Sequence, residues 1–146
     1  MKARDLMTRD PVSVTPGEAI ARAAEIMHDL DVGIVPVVEE GTAKRLVGVI
    51  TDRDIAIRCV ARKHGVSCAV REHMSSAALH VAHPEDDAGR VLQLMEEAQV
   101  RRLPVVDDDD RLVGIIAQAD VAVKYGPRHP LKMEHMMERL SAVHAR

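Results

Sequence analysis

The 146-residue chain contains no phenylalanine, no tryptophan and a single tyrosine, Tyr125. That removes the aromatic platform on which single-stranded nucleic acid stacks. A planar ligand would have to lie between aliphatic side chains and hydrogen-bond to the backbone. Cysteine is scarce as well. Cys59 and Cys68 are too few for a disulfide framework, so reduced thiols are expected. No apolar run approaches the ~20 residues that a membrane helix needs. The opening Met1-Lys2-Ala3-Arg4-Asp5-Leu6-Met7 lacks the apolar centre of a signal peptide. A cytoplasmic location without a membrane partner is therefore expected. Positive charge is not in excess, the net charge being -3, which argues against a nucleic-acid partner. Glycine-rich phosphate loops, metalloprotease motifs and nucleophile–base pairs are missing too, so no catalytic activity is expected.

What is present is a repeat. Pro16 and Pro84, Met27 and Met95, and Pro36 and Pro104 are each separated by 68 residues, and Gly48/Gly114 and Asp54/Asp120 by 66. The two-residue change falls between Glu39–Arg45 and Asp107–Arg111, where a surface turn absorbs it cheaply. Each copy reads β-α-β-β-α. Short strands come first, at Val12-Ser13-Val14 and His80-Val81-Ala82. In the first copy Thr15-Pro16-Gly17-Glu18 supplies a cap and a helix follows near Glu18–Leu30, with Ile20, Ala23, Ala24, Met27 and Leu30 at helical spacing. In the second, Ala88, Val91, Leu92, Met95 and Ala98 recur likewise. The β-branched runs Ile34–Val38 and Leu46–Ile50 match Leu103–Val106 and Leu112–Ile116. Closing helices are expected near Asp52–Ala61 and Gln118–Lys124. The expected class is α/β (α+β), with repeats at 1–63 and 74–125, a connector at 64–73 and a tail at 126–146. One such unit, at roughly 55 residues, would bury little surface alone. Two copies packed through their sheets with pseudo-two-fold symmetry are expected. In the tail, Leu131–Val143 reads as a helix whose apolar stripe (Leu131, Met133, Met136, Met137, Leu140, Val143) suits dimer packing, a partner or its own module.

At Gly48-Val49-Ile50-Thr51-Asp52-Arg53-Asp54 the sequence resembles the CBS family, in which a glycine and two apolar strand residues precede Thr or Ser, with Asp three residues on. Gly33-Ile34-Val35-Pro36 and Arg102-Leu103-Pro104-Val105-Val106 resemble its second landmark, an apolar strand carrying proline. The resemblance runs from about Ala3 to Tyr125. It implies a paired module, the Bateman module, whose clefts between the repeats commonly hold AMP, ADP, ATP or S-adenosylmethionine, with no catalytic cofactor. It also implies a homodimer, and an effector protein as a separate chain. The rival readings are a ligand-free structural dimer and a zinc-binding stress-response protein.

Under that resemblance Thr51 and Asp54 face one cleft, where a carboxylate accepts hydrogen bonds from a ribose 2′,3′-diol and the hydroxyl assists. The alternative is a helix cap, Thr51 and Asp54 forming a capping box, and both roles can coexist. Ala117 replaces the threonine in the second copy, which keeps Asp120. Unequal sites follow, the Asp54 site being the tighter if other contacts are equal. Arg101 and Arg102 are candidate phosphate ligands, or a solvated pair answering Glu96 and Glu97. Arg53 is either another phosphate ligand or an exposed helix residue. Val12, Gly33, Ile34 and Ile115 complete the ligand-binding candidates.

Cys59, His64, Cys68 and His73 form C-x4-H-x3-C-x4-H, with ligand types that suit zinc but a spacing that matches no standard finger. The competing reading is a buried cysteine with solvent-facing histidines, and no metal is expected. Asp107–Asp110 reads as a turn rather than a cation loop.

Overall fold

A computed structural model of the chain describes residues 1–77 and 79–144. The fold is mixed α/β, and its elements follow the repeat. In the first copy, α2 (Ile20–Leu30) leads to the antiparallel pair β2 (Ile34–Val38) and β3 (Leu46–Thr51), with Ile34 opposite Thr51. In the second, α4 (Ala88–Ala98) leads to β4 (Arg102–Val106) and β5 (Leu112–Ala117). β3 and β5 alternate because only one face packs inward, whereas β2 and β4 are buried along nearly their whole length. Leu46, Gly48 and Ile50 are buried, while Val47, Val49 and Thr51 are half-buried.

Three expectations shift. The early strands shrink to single parallel bridges, Val14 with Val37 and Ala82 with Val105. Thr15 and Glu18 close a turn, the Thr15 N–H donating to Glu18 Oε2 at 2.6 Å, and α2 begins two residues later, at Ile20. Its inward face is Ile20, Ala23, Ile26 and Met27; Ala24 and Leu30 point outward. The first closing helix is α-helical only over α3 (Asp52–Asp54) and continues as a π-helix over Ile55–Val60. The second is α5 (Gln118–Lys124).

The chain divides into two compact units, and the division is not the linear one. One unit holds Met1–Asp10 with His80–Asp109 and Val113–Arg146; the other holds Pro11–Leu79 with Asp110–Leu112. The segment ahead of each repeat thus belongs to the unit built on the other repeat. The reason is strand pairing. After the short helix α1 (Ala3–Leu6), β1 (Thr8–Arg9) pairs with β5, Thr8 opposite Ile115, and extends the β4–β5 pair to three strands in the order β1-β5-β4. In the other unit Ser75 does the same for β3, exchanging two backbone hydrogen bonds with Val49 at 2.8 and 3.0 Å. Val70 is fully buried in that unit's core, with Val14, Ile20, Val35, Val37 and Ile50.

Glycine makes both additions possible. A Cβ on Gly114 would stand 2.8 Å from Met7 Cγ, and one on Gly48 would stand 2.8 Å from the Ser75 carbonyl oxygen and 3.2 Å from Met74 Sδ. The tail helix α6 (Pro130–His144) docks on its own unit: Met133, Met136 and Leu140 join the core of Leu6, Met95, Leu103 and Ile116, and Arg139 pairs with Glu96. Leu131 and Met137 are exposed, which breaks the expected stripe, and the Val143 side chain lies outside the described residues. No helix among the described residues is long and apolar enough to cross a membrane.

Gly48→Ala is expected to cost about 1–3 kcal/mol, because the Ser75 carbonyl, which accepts the Val49 N–H at 3.0 Å, must yield. Gly89→Ala, in α4 with open space around the new methyl group, is expected to stabilise by about 0.5–1 kcal/mol. Urea unfolding of both variants checks the pair; equal effects would contradict the close-approach account.

Candidate functional site

In the unit built on the first repeat, the β2–β3 pair ends where α3 begins. The Asp52 N–H donates to the Gly33 carbonyl at 2.9 Å, holding Gly33-Ile34 beside Thr51–Asp54. Thr51 Oγ1 accepts the Asp54 N–H at 3.1 Å, and Asp54 Oδ2 accepts the Thr51 N–H at 3.0 Å. The capping box therefore exists in full. It occupies one carboxylate oxygen; the other, Oδ1, lies 3.7 Å from Arg58 Nε, beyond hydrogen-bonding distance. Asp54 is buried to 9% exposure, an unusual place for a carboxylate with half its acceptor capacity uncommitted to the cap. Arg53 is exposed, and its guanidinium has no ion pair among the described residues. Val12 is 46% exposed, two residues ahead of the Val14–Val37 bridge.

The second repeat reproduces this frame. The Gln118 N–H donates to the Arg101 carbonyl at 2.8 Å, and Asp120 Oδ2 accepts the Ala117 N–H at 3.0 Å. The hydroxyl is absent, as the sequence requires. Arg101 is exposed and Arg102 half-buried. Glu96 pairs with Arg139, and Glu97 lies 3.9 Å from Arg90, so those acids are not what the two arginines answer. Ile115 is half-buried on β5, opposite Thr8. The two frames differ in charge. Asp52 sits against Gly33, where a Cβ would lie 3.1 Å from its Oδ2, and Gln118 is its neutral counterpart. Arg58, Asp52 and Gln118 were missed in the sequence, although Arg58 was legible as the i+4 partner of Asp54.

A separate cluster forms behind the π-helix. Ligand atoms of Cys59, Cys68 and His73 all lie within 4.8 Å of one another. His73 is buried to 4% exposure, not solvent-facing as expected, and its Nε2 lies 3.3 Å from Nδ1 of the exposed His64. Partial burial and the adjacent Glu72 carboxylate raise the Cys68 thiol above its ordinary pKa. The acidic run is a turn, the Asp109 N–H donating to Asp107 Oδ1 at 2.9 Å.

The family model for the CBS domain matches residues 3–60 and 70–125. Hypoxic response protein 1 of Mycobacterium tuberculosis is 34% identical over 129 residues, 88% of this chain and 87% of that protein. A crystal structure of Hypoxic Response Protein I, with two coordinated zinc ions, superposes with a TM-score of 0.76 at 33% identity, covering 85% of this chain and 98% of the other. CBSX2 in complex with AMP gives 0.70 at 26% identity over 91% and 98% of the two chains. The CBS domain pair of MJ0100, in complex with 5′-methylthioadenosine and S-adenosyl-L-methionine, gives 0.75 at 28% over 88% and 98%.

Cap and charge at position 54 are separable. Asp54→Asn keeps an oxygen for the Thr51 N–H and is expected to leave the unfolding midpoint near that of wild type. Asp54→Ala and Thr51→Ala are each expected to cost about 1 kcal/mol, in the range of lost helix caps. Equal destabilisation by Asn and Ala in thermal unfolding would show that the carboxylate does more for folding than cap one turn.

Proposed function

The chain belongs to the CBS domain family, and on that premise we propose that it is a regulatory module binding an adenine nucleotide or S-adenosylmethionine through Asp54 and Asp120. One observation carries the reading: in both repeats a carboxylate in the first helical turn is anchored through Oδ2 to the N–H of the residue that ends the strand, at 3.0 Å each time. An acceptor whose rotamer is already fixed loses little entropy when a ribose diol binds to it. Val12 and Ile34 in the first frame, and Ile115 in the second, are the aliphatic side chains offered to a base in a chain without Phe or Trp, and Gly33 adds no side chain to the first frame. Arg101 and Arg102 supply guanidinium groups for phosphate. AMP in CBSX2 and the two adenosine derivatives in MJ0100 support the ligand class.

The frames divide the work. Asp52 beside Gly33 opposes a polyphosphate at the first, where Thr51 and Asp54 favour the sugar. The arginine pair and neutral Gln118 favour phosphate at the second. A ligand that binds two conformations of the module unequally shifts their populations, and a partner protein that distinguishes them responds. This role requires no catalysis and fits a homodimer acting on a separate effector chain.

A second reading is zinc binding, favoured by the Cys59, Cys68 and His73 cluster and supported by the zinc ions of Hypoxic Response Protein I.

Isothermal titration with AMP, ATP and S-adenosylmethionine tests the first reading. Submillimolar binding of at least one is expected, weakened at least tenfold by Asp54→Asn or Asp120→Asn. The double variant Arg101→Ala, Arg102→Ala is expected to weaken ATP more than AMP. Heat-silent titrations with all three, and melting temperatures that none of them moves, would overturn it.

A further inference from the structure

Between Cys59 and His73 the chain folds back on itself with its backbone largely satisfied. The His64 N–H donates to the Cys59 carbonyl at 3.0 Å, the Cys68 N–H to that of Gly65 at 3.1 Å, and the Ile20 N–H to that of Cys68 at 2.7 Å. The side chains it brings together are thus held before any ligand arrives, which is what a metal site requires of its support.

The π-helix aims the first of them. In an α-helix the residues that share a face are three or four apart. Over Ile55–Val60 the ladder runs from residue i to i+5, as in the 2.9 Å bond from the Ala61 N–H to the Ala56 carbonyl. Asp54 and Cys59, five apart, are both buried, at 9% and 1% exposure. π-turns are uncommon and concentrate at functional sites.

Distances complete the case. Tetrahedral zinc, with Zn–S near 2.3 Å and Zn–N near 2.0–2.1 Å, holds its ligand atoms roughly 3.3–3.8 Å apart. Ligand atoms of Cys59, Cys68 and His73 lie within 4.8 Å of one another, so closing by about 1–1.5 Å reaches zinc spacing; His64 Nδ1, 3.3 Å from His73 Nε2 on an exposed side chain, is the fourth donor within reach. Thiolates with imidazoles select zinc over calcium or magnesium.

Resting on the zinc reading above, we propose that Cys59, His64, Cys68 and His73 hold one zinc ion per chain in a closed, four-ligand site. The two thiols release their protons to solvent on binding. With no position left for water or substrate, the ion is structural. It ties the end of the π-helix to residues 64–73, and so fixes the helix that carries Asp54.

The test uses the full chain, stripped with a chelator and titrated with Zn(II) or Co(II). The expected results are one equivalent per chain, a Co(II) spectrum with thiolate charge-transfer and intense tetrahedral bands, and a raised melting temperature. His64→Ala, at an exposed position, and Cys68→Ser, at a half-buried one, should each weaken metal binding at least tenfold, with far-ultraviolet circular dichroism confirming that both remain folded. Zinc bound with unchanged affinity in either variant overturns this ligand set while leaving metal binding in place. Absence of zinc binding at micromolar concentration overturns both.

Discussion

Two missing Cβ atoms govern the construction of this protein. At Gly114 the strand is bare enough for Met7 to lie across it, and at Gly48 for Met74 and the Ser75 backbone to do the same. Each two-stranded pair gains its additional edge partner there, and an isolated two-stranded pair is marginal in water. The constraint also explains why the compact units are not the linear repeats. Strand pairing assigns Met1–Asp10 to the unit of the second copy and residues up to Leu79 to that of the first.

The same pairing brings the two ends of each hairpin into a fixed frame. A backbone hydrogen bond ties the first helical residue to the residue before the proline-bearing strand, once as Asp52 to Gly33 and once as Gln118 to Arg101. The aspartate two residues further on then caps its own helix with one oxygen and retains the other. The cap does not exhaust the carboxylate, which has acceptor sites on both oxygens. What distinguishes the copies is the charge around the shared frame. The first carries an extra acid and a hydroxyl, whereas the second has two arginines whose nearby glutamates are paired elsewhere.

Much of this was legible in the residues. The duplication, the strand and helix order and the Thr51–Asp54 pairing follow from spacing and periodicity, because period 2 and period 3.6 leave local traces. The π-helix left none. Nothing in Ile55–Val60 announces an i+5 ladder, and in an ideal α-helix Cys59 would have pointed elsewhere. The burial of His73 left no trace either, because burial depends on what packs around a side chain and not on its neighbours in the sequence.

The amino-acid sequence by itself determined the repeat, the mixed α/β class, the family and the want of an aromatic platform, all of which are properties of composition and of order along the chain. The tertiary structure alone decided which segment completes which sheet and which oxygen of Asp54 is already engaged. It also decided that Cys59, Cys68 and His73, spread over fifteen positions, share one small volume, with His64 beside His73. Those outcomes depend on contacts between residues distant along the chain, whose geometry no local pattern encodes.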